Sequence, residues 1–247
     1  MVSFDAADPG TAAREWDADP RWQRLPRLRL DGIDHVIVFA AHPDDETLGA
    51  GGLLASARSA GIPVTFVVVT DGSGAGVVTP GETLAAVRTA EAEAAARDLG
   101  IDDVRFLGVT DGAIRENRDL VARATGGILS EFPRALVVAP WQGDGHRDHR
   151  VLGEITLEVC RREQRQLWAY PIWLWHWGNP EHANTPWSTM ATLPLTGDHV
   201  AAKARALGEY RSQVHGSAPV LHERFLGHFQ RPEEVFVVEN EGRVAVG

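Results

Sequence analysis

The feature that most constrains this chain is a recurring succession of short, β-branched apolar runs, each followed by a stretch with helical spacing. The first run, His35-Val36-Ile37-Val38-Phe39-Ala40-Ala41, is almost free of polar residues, as strands buried on both faces of a parallel sheet are. After a polar turn, Thr47 to Ala60 carries small and apolar residues at helical spacing and closes at Gly61. Val64 to Thr70 is a second run, followed by an alanine-rich helix from Glu82 to Leu99 that closes at Gly100. The pattern predicts a short third strand over Val104–Leu107, a polar helix over Glu116–Glu131 and a fourth strand over Ala135–Trp141. A helix over His149–Arg165 and a fifth strand over Leu167–Trp175 follow. Parallel strands need crossovers, and crossovers are right-handed. The expected fold is therefore α/β: Rossmann-like, with a mainly parallel sheet and helices on both faces.

A chain of 247 residues is long enough for one sizeable core. The expected organisation is an N-terminal arm over residues 1–30, which packs on the body through Trp16 and Trp22, and a single domain over residues 31–247. Past Trp177 the periodicity fades. His176 to Leu195 reads as a long irregular loop rich in Trp, Pro, Asn and His, of the kind that often binds ligands. Asp198 then caps a helix reaching Gln213, and Val235–Val238 offers a last short strand.

Twenty-four basic against 34 acidic side chains give a formal charge of −10, which would repel a phosphate backbone and argues against a nucleic-acid partner. No stretch approaches the ~20 apolar residues needed to span a bilayer, and the start of the chain is polar and acidic. The expectation is a soluble, cytoplasmic protein. The lone cysteine, Cys160, lies among apolar neighbours Leu157 and Val159, and reads as a buried thiol.

Two polar clusters follow predicted strands: His42-Pro43-Asp44-Asp45-Glu46 after the first, and Asp144-Gly145-His146-Arg147-Asp148-His149 soon after the fourth. In a sheet whose order reverses beside its first strand, the first and fourth strands are neighbours. Ligands then bind in the crevice above that switch point, so the clusters converge there. Imidazole and carboxylate ligands suit zinc, and a site with three protein ligands leaves a fourth position to water and is catalytic. Zinc lowers the pKa of water towards ~7, and a carboxylate beside the ligands can take the proton. Taken alone, each acidic turn is equally well a helix cap, and Asp44, Asp45 or Glu46 would all serve.

The stretch Ala41-His42-Pro43-Asp44-Asp45-Glu46, with the later His146-Arg147-Asp148-His149, resembles the PIG-L/LmbE-like zinc N-deacetylases. That family acts on N-acetylated amino sugars in GlcNAc-phosphatidylinositol, in thiol-cofactor precursors and in glycopeptide antibiotics. In motif order the resemblance runs from about Val36 to Gln213. It implies one Zn²⁺ per chain, held by His42, Asp45 and His149, although such ligands also accept iron, cobalt or nickel. It implies that Asp44 is the general base. His146 would stabilise the tetrahedral intermediate and protonate the leaving amine. Asp148 would hydrogen-bond a site histidine and favour the His146 imidazolium. Arg88 and Glu91 match an Arg-x-x-Glu pattern whose arginine reaches substrate, and an ordinary helical i,i+3 pair would look the same. Asp111, in Leu107-Gly108-Val109-Thr110-Asp111-Gly112, matches an aspartate that binds a sugar hydroxyl. Tyr210-Arg211-Ser212-Gln213 matches a late helical motif to which no chemistry is assigned.

Arg147 stands where many relatives have proline and Asp144 where some have an aromatic residue near the leaving group, which bears on substrate and not on the metal. The implied substrate is an amino-sugar-containing small molecule or glycoconjugate. The alternatives are an amidase of a larger amide or thiol conjugate, and a metal-dependent sugar-binding module without catalysis. The latter has no use for Asp44. Trp173, Trp175 and Trp177 would share one face of a strand and either stack on a ligand or fill the core. The glycines Gly49-Ala50-Gly51-Gly52 do not spell a dinucleotide or P-loop cradle.

Overall fold

A computed structural model describes residues 4–5, 8–76, 78, 81–215 and 219–238. Residues 1–3 and 6–7 of the expected arm, and 239–247 at the end of the expected domain, lie outside the described residues. The element order is α1 (Ala13–Asp17), β1 (Val36–Ala40), α2 (Asp45–Ser59), β2 (Val64–Thr70), α3 (Leu84–Asp98), β3 (Asp103–Val109), α4 (Arg118–Glu131), β4 (Leu136–Pro140), α5 (Arg147–Arg162) and β5 (Leu167–Tyr170). There follow α6 (Leu174–Trp177), β6 (Met190–Pro194), α7 (Gly197–Gly208), α8 (Arg211–Val214), α9 (Glu223–Leu226) and β7 (Glu233–Val238), with short 3₁₀ turns at Pro20–Arg24 and Gly227–Phe229. Among the described residues no helix is long and apolar enough to cross a membrane.

The strands form one seven-stranded sheet in the order β3-β2-β1-β4-β5-β7-β6. The pairs joining β1 to β5 are parallel, with Val36 of β1 in register with Val64 on one side and Leu136 on the other. The chain winds outward from β1 through β2 to β3, then returns to place β4 on the other flank of β1. The switch point thus lies between β1 and β4. Alternate residues of β1 enter opposite core layers, Val36, Val38 and Ala40 in one, and Ile37, Phe39 and Ala41 in the other. This two-sided burial is why the run is apolar at every position.

The structure corrects the far edge of the sheet. The fifth strand stops at Tyr170, and Pro171, which has no N–H for a ladder, precedes the short helix α6. Trp173, Trp175 and Trp177 therefore do not share a strand face. Trp173 is stacked on Phe225 (centroids 4.6 Å apart) and packed by Phe4 (5.1 Å), while Trp175 meets Trp16 edge-on at 5.0 Å. Both rings belong to the core, and Trp173 also lines the cavity described below. The irregular stretch before Leu195 contains β6, which pairs antiparallel with β7. The late helix is two helices, and Thr196 caps the first by accepting from the His199 amide at 3.3 Å, in place of Asp198.

Helix α2 sits unusually close to β5. A Cβ on Gly49 would lie 2.2 Å from the Tyr170 ring, and one on Gly52 would lie 2.4 Å from Leu195. The glycine run is a packing seam, which presses the N-terminus of α2 over the switch point. The same helix is tied to the edge of the sheet by a buried ion pair: Lys203 Nζ donates to Glu234 Oε1 and to the Leu48 carbonyl, each at 2.7 Å. Glu234 in turn accepts from the Gly52 and Leu53 amides at 2.7 Å. Removing one member of a buried pair strands the other charge, at a cost of about 3–5 kcal/mol. Lys203→Ala is accordingly expected to lower the urea unfolding free energy by about 3 kcal/mol; a loss below about 1 kcal/mol would show that the pair does not hold α2 in place.

Candidate metal centre

The first polar cluster leaves β1 as a tight turn. His42 is its exit residue, its amide donating to Asp45 Oδ2 at 2.9 Å, and the Asp45 amide reaches the His42 carbonyl at 3.3 Å. Asp44 caps α2 at φ +127°, a conformation that costs an L-residue of order 1–3 kcal/mol. Its effect is to send adjacent carboxylates to different partners. Asp44 Oδ2 accepts from Arg88 Nη2 at 2.8 Å, whereas Asp45 faces two imidazoles: Oδ2 lies 3.3 Å from His42 Nδ1 and Oδ1 lies 3.1 Å from His149 Nε2. Arg88 also donates to the carbonyls of Pro43 and of Gly72, the latter at 3.0 Å. The residue expected to reach substrate is thus chiefly engaged in holding the Asp44 turn, while still lining the cavity.

The second cluster leaves β4 through Trp141 and enters α5, with His146 as N-cap and Asp148 and His149 in the first turn. The rings of His42, His146 and His149 lie within 4.7–5.4 Å of one another, centroid to centroid. The far nitrogens of His42 and of His149, on the side away from Asp45, each meet a carboxylate. His42 Nε2 lies 3.1 Å from Asp111 Oδ1 and 3.5 Å from Asp148 Oδ2; His149 Nδ1 lies 2.7 Å from Asp144 Oδ2. Asp111 and Asp148 are fixed by the backbone amides of Gly74 and Gly112, each at 2.9 Å. Asp148, expected beside His146, is placed against His42.

His42, Asp44, Asp45, His146 and His149 therefore line one crevice, joined by Asp111 from the loop after β3 and by Arg88 from α3, whereas Arg147 is exposed and paired with Glu116. Asp144 was read from the sequence as a departure bearing on the leaving group. It is instead wholly buried and bonded to His149. The signal for it was available, since histidines that bind metal usually give their other N–H to a carboxylate. Glu46, also buried, accepts from Tyr210 Oη, and Ser212 gives Glu91 its amide and hydroxyl, both at 2.7 Å. The late Tyr-Arg-Ser-Gln motif and Glu91 thus clamp α8 onto α2 and α3.

The electrostatics favour positive charge inside the cage. Burial opposes the His149 imidazolium, but Asp45 and Asp144 outweigh it and lift its pKa to about 9. His42, also buried, is raised well above its ordinary value by Asp111, Asp148 and Asp45. Asp45 is held well below the carboxylate range, against its burial, by His149 and His42. A divalent cation answers the same need as those two protons. The individual contacts suit it: Asp45 Oδ2 to His42 Nδ1 at 3.3 Å and Asp45 Oδ1 to His149 Nε2 at 3.1 Å are each close to the roughly 3.3 Å between neighbouring ligand atoms at zinc's 2.0–2.1 Å, and one nitrogen each of His42, His146 and His149 lie within 4.8 Å of one another. His146 differs: burial, then His149 and His42, push it down to about 3. Burial raises Asp44 to about 7, against the pull of Arg88.

The family model described as PIG-L, GlcNAc-PI de-N-acetylase, matches residues 37–160, from β1 through α5, and so takes in both clusters. The chain belongs to the PIG-L family. Among PIG-L relatives, a probable N-acetyl-alpha-D-glucosaminyl L-malate deacetylase 2 of Bacillus subtilis is 29% identical over 198 residues, covering 77% of this chain and 88% of the relative. A 1D-myo-inositol 2-acetamido-2-deoxy-alpha-D-glucopyranoside deacetylase of Actinosynnema mirum is 28% identical over 240 residues, covering 76% and 83%. In fold, the chain is similar to the N,N'-diacetylchitobiose deacetylase of Pyrococcus horikoshii, with a TM-score of 0.66 at 20% identity over 97% of this chain and 94% of that one.

Proposed function

We propose that the protein is a zinc-dependent hydrolase that removes an N-acyl group, in the first place N-acetyl, from an amino-sugar-containing small molecule or glycoconjugate. The observation that carries this reading is the Asp44–Asp45 turn, which presents one carboxylate to His42 and His149 and keeps its neighbour free of them on Arg88. His42, Asp45 and His149 would hold the ion. When bound, a divalent metal supplies Lewis acidity to the acyl carbonyl and makes water more acidic.

The chain's own groups do the rest. Asp44 accepts the proton of the attacking water, and its pKa near 7 in the protein alone suits a base that works at neutral pH. Arg88 fixes the orientation of that carboxylate. His146, the N-cap of α5, lines the cavity as a neutral imidazole and donates a hydrogen bond to the oxygen on which charge develops, while the proton taken up by Asp44 passes to the leaving nitrogen. Asp111 and Asp148 orient His42, and Asp111, partly exposed at the cavity, also offers its carboxylate to a sugar hydroxyl. The cavity, of about 260 Å³, has an apolar wall of Leu48, Ile172, Trp173, Val220 and Leu221 opposite these polar groups. Residues 31–247 act as one catalytic unit.

The test is mass spectrometry of zinc-loaded protein with a panel of N-acetylated amino sugars bearing malate, inositol, a second sugar or an alkyl chain, beside N-acetylated amines and thiol conjugates that carry no sugar. Loss of one acetyl group from at least one member is expected. Turnover confined to non-sugar amides would favour the broader amidase reading, and none at all with stoichiometric zinc would favour a binding module.

A further inference from the structure

Asp144 engages three groups through its carboxylate. It is 0% exposed, and it lies in the loop between β4 and α5. Its Oδ1 accepts from the amides of Ile172 and Leu174, at 2.7 and 3.0 Å, and its Oδ2 meets His149 Nδ1 at 2.7 Å. Its carbonyl accepts from Trp177 Nε1 at 2.6 Å. The turn needs a glycine at the next position, because Gly145 has φ +94° and a Cβ there would lie 2.7 Å from the same Trp177 nitrogen.

An ionised carboxylate only accepts hydrogen bonds. With two backbone donors on Oδ1, the hydrogen between Oδ2 and His149 must sit on Nδ1. The neutral ring then carries its lone pair on Nε2, the nitrogen 3.1 Å from Asp45 Oδ1. We propose that Asp144 is a positioning residue that decides which nitrogen of His149 is the metal donor, and that it fastens this imidazole to the segment spanning residues 171–178. The inference rests on the metal reading of the site given above. It also separates Asp144 from Asp111 and Asp148, which act on His42.

Asparagine at this position discriminates between orientation and simple anchoring. With its oxygen kept on Ile172 and Leu174, its NH₂ faces Nδ1 donor to donor, and the ring must move its hydrogen to Nε2 and lose the metal's lone pair. Flipped, the NH₂ meets two backbone amides instead. Neither rotamer serves all three donors.

Zinc affinity, read by competition with a chromogenic chelator, is compared for wild type, Asp144→Asn and Trp177→Phe, with thermal unfolding of each as a check of folding. Losing the outer carboxylate is expected to weaken zinc by about 10–100-fold. Trp177→Phe, which cuts an anchor of the loop without touching His149, is expected to change affinity by less than about threefold. Wild-type affinity in Asp144→Asn, or equal losses in the two variants, would overturn the proposal in favour of a loop anchor. A second measurement needs no variant. Magnetic resonance of wild-type protein with isotope-labelled histidine and bound zinc should show His149 carrying its proton on Nδ1; a proton on Nε2 overturns the proposal even if Asp144→Asn fails to fold. A wild type that takes up no zinc removes the metal reading itself and the proposal with it, an outcome distinct from either of these.

Discussion

An Asp45→Ala protein is expected to purify without stoichiometric metal and to lose turnover with it. Asp45 is buried, and its two oxygens stand 3.3 Å from His42 Nδ1 and 3.1 Å from His149 Nε2, so that it is the element common to both imidazoles. It also accepts from the His42 amide at 2.9 Å, which fixes the turn that presents the first ligand. Removing it leaves two imidazoles, too few for a tight zinc site, and takes away the negative charge that holds positive charge in the cage. Two competing donor sets are also present: one nitrogen each from His42, His146 and His149, and a nitrogen of His42 with one oxygen each from Asp111 and Asp148, the atoms of each set lying within 4.8 Å of one another. Metal analysis after zinc reconstitution distinguishes them, the set with Asp111 and Asp148 being the one whose zinc survives both Asp45→Ala and His146→Ala. If Asp45 is a ligand, Asp45→Ala falls well below one equivalent while His146→Ala keeps its zinc. If the three imidazoles are the ligands, His146→Ala loses the metal and Asp45→Ala retains it, and the assignment of His146 to the oxyanion falls.

The sheet's parallel half was legible in the sequence because burial on both faces leaves a simple trace. Val36 to Ala40, Val64 to Thr70 and Leu136 to Pro140 are apolar or β-branched at nearly every position, and a turn with a polar cluster follows two of them. The antiparallel edge left no such trace. Met190 to Pro194 lies inside a segment of Trp, Pro and Asn, and its pairing with Glu233 to Val238 is a long-range contact that local pattern does not encode. The Trp173, Trp175 and Trp177 spacing suggested a strand, but Pro171 ends the ladder, Trp173 and Trp175 are taken up by Phe4, Phe225 and Trp16, and Trp177 meets His182 and donates to the Asp144 carbonyl. Within the site, residue types and order were enough to bring both clusters to one crevice. What they did not specify was which carboxylate meets which nitrogen. Asp148 was expected on His146 and lies on His42; Arg88 was expected on substrate and is spent largely on Asp44. Those pairings depend on the φ of Asp44 and on the meeting of loops from β3 and β4, which only the assembled sheet determines.

Asp44→Asn is expected to keep its zinc and lose about 10²–10⁴ in kcat, the span usual for removal of a general base. The substitution preserves size, and the amide oxygen can still accept from Arg88, so the strained turn that carries Asp45 has no cause to rearrange. What is lost is the capacity to take a proton. The pH profile supplies a second readout with a definite sign. Burial raises Asp44 to about 7 in the protein alone, and a base works in its unprotonated form, so the rate falls as pH drops through its pKa. A dication held by the neighbouring Asp45 stabilises the carboxylate of Asp44, which places the acid limb of the wild-type profile below pH ~7. Asparagine has no proton to gain, so the variant's limb should flatten. Ionisation of water at the centre shapes the same limb, and for that reason the comparison that decides is kcat set beside metal content in one preparation. Full zinc with a large loss in kcat identifies Asp44 as the base. Wild-type turnover in Asp44→Asn, or zinc lost to the same extent as in Asp45→Ala, would refute that role and make the two neighbouring carboxylates parts of a single ligand unit.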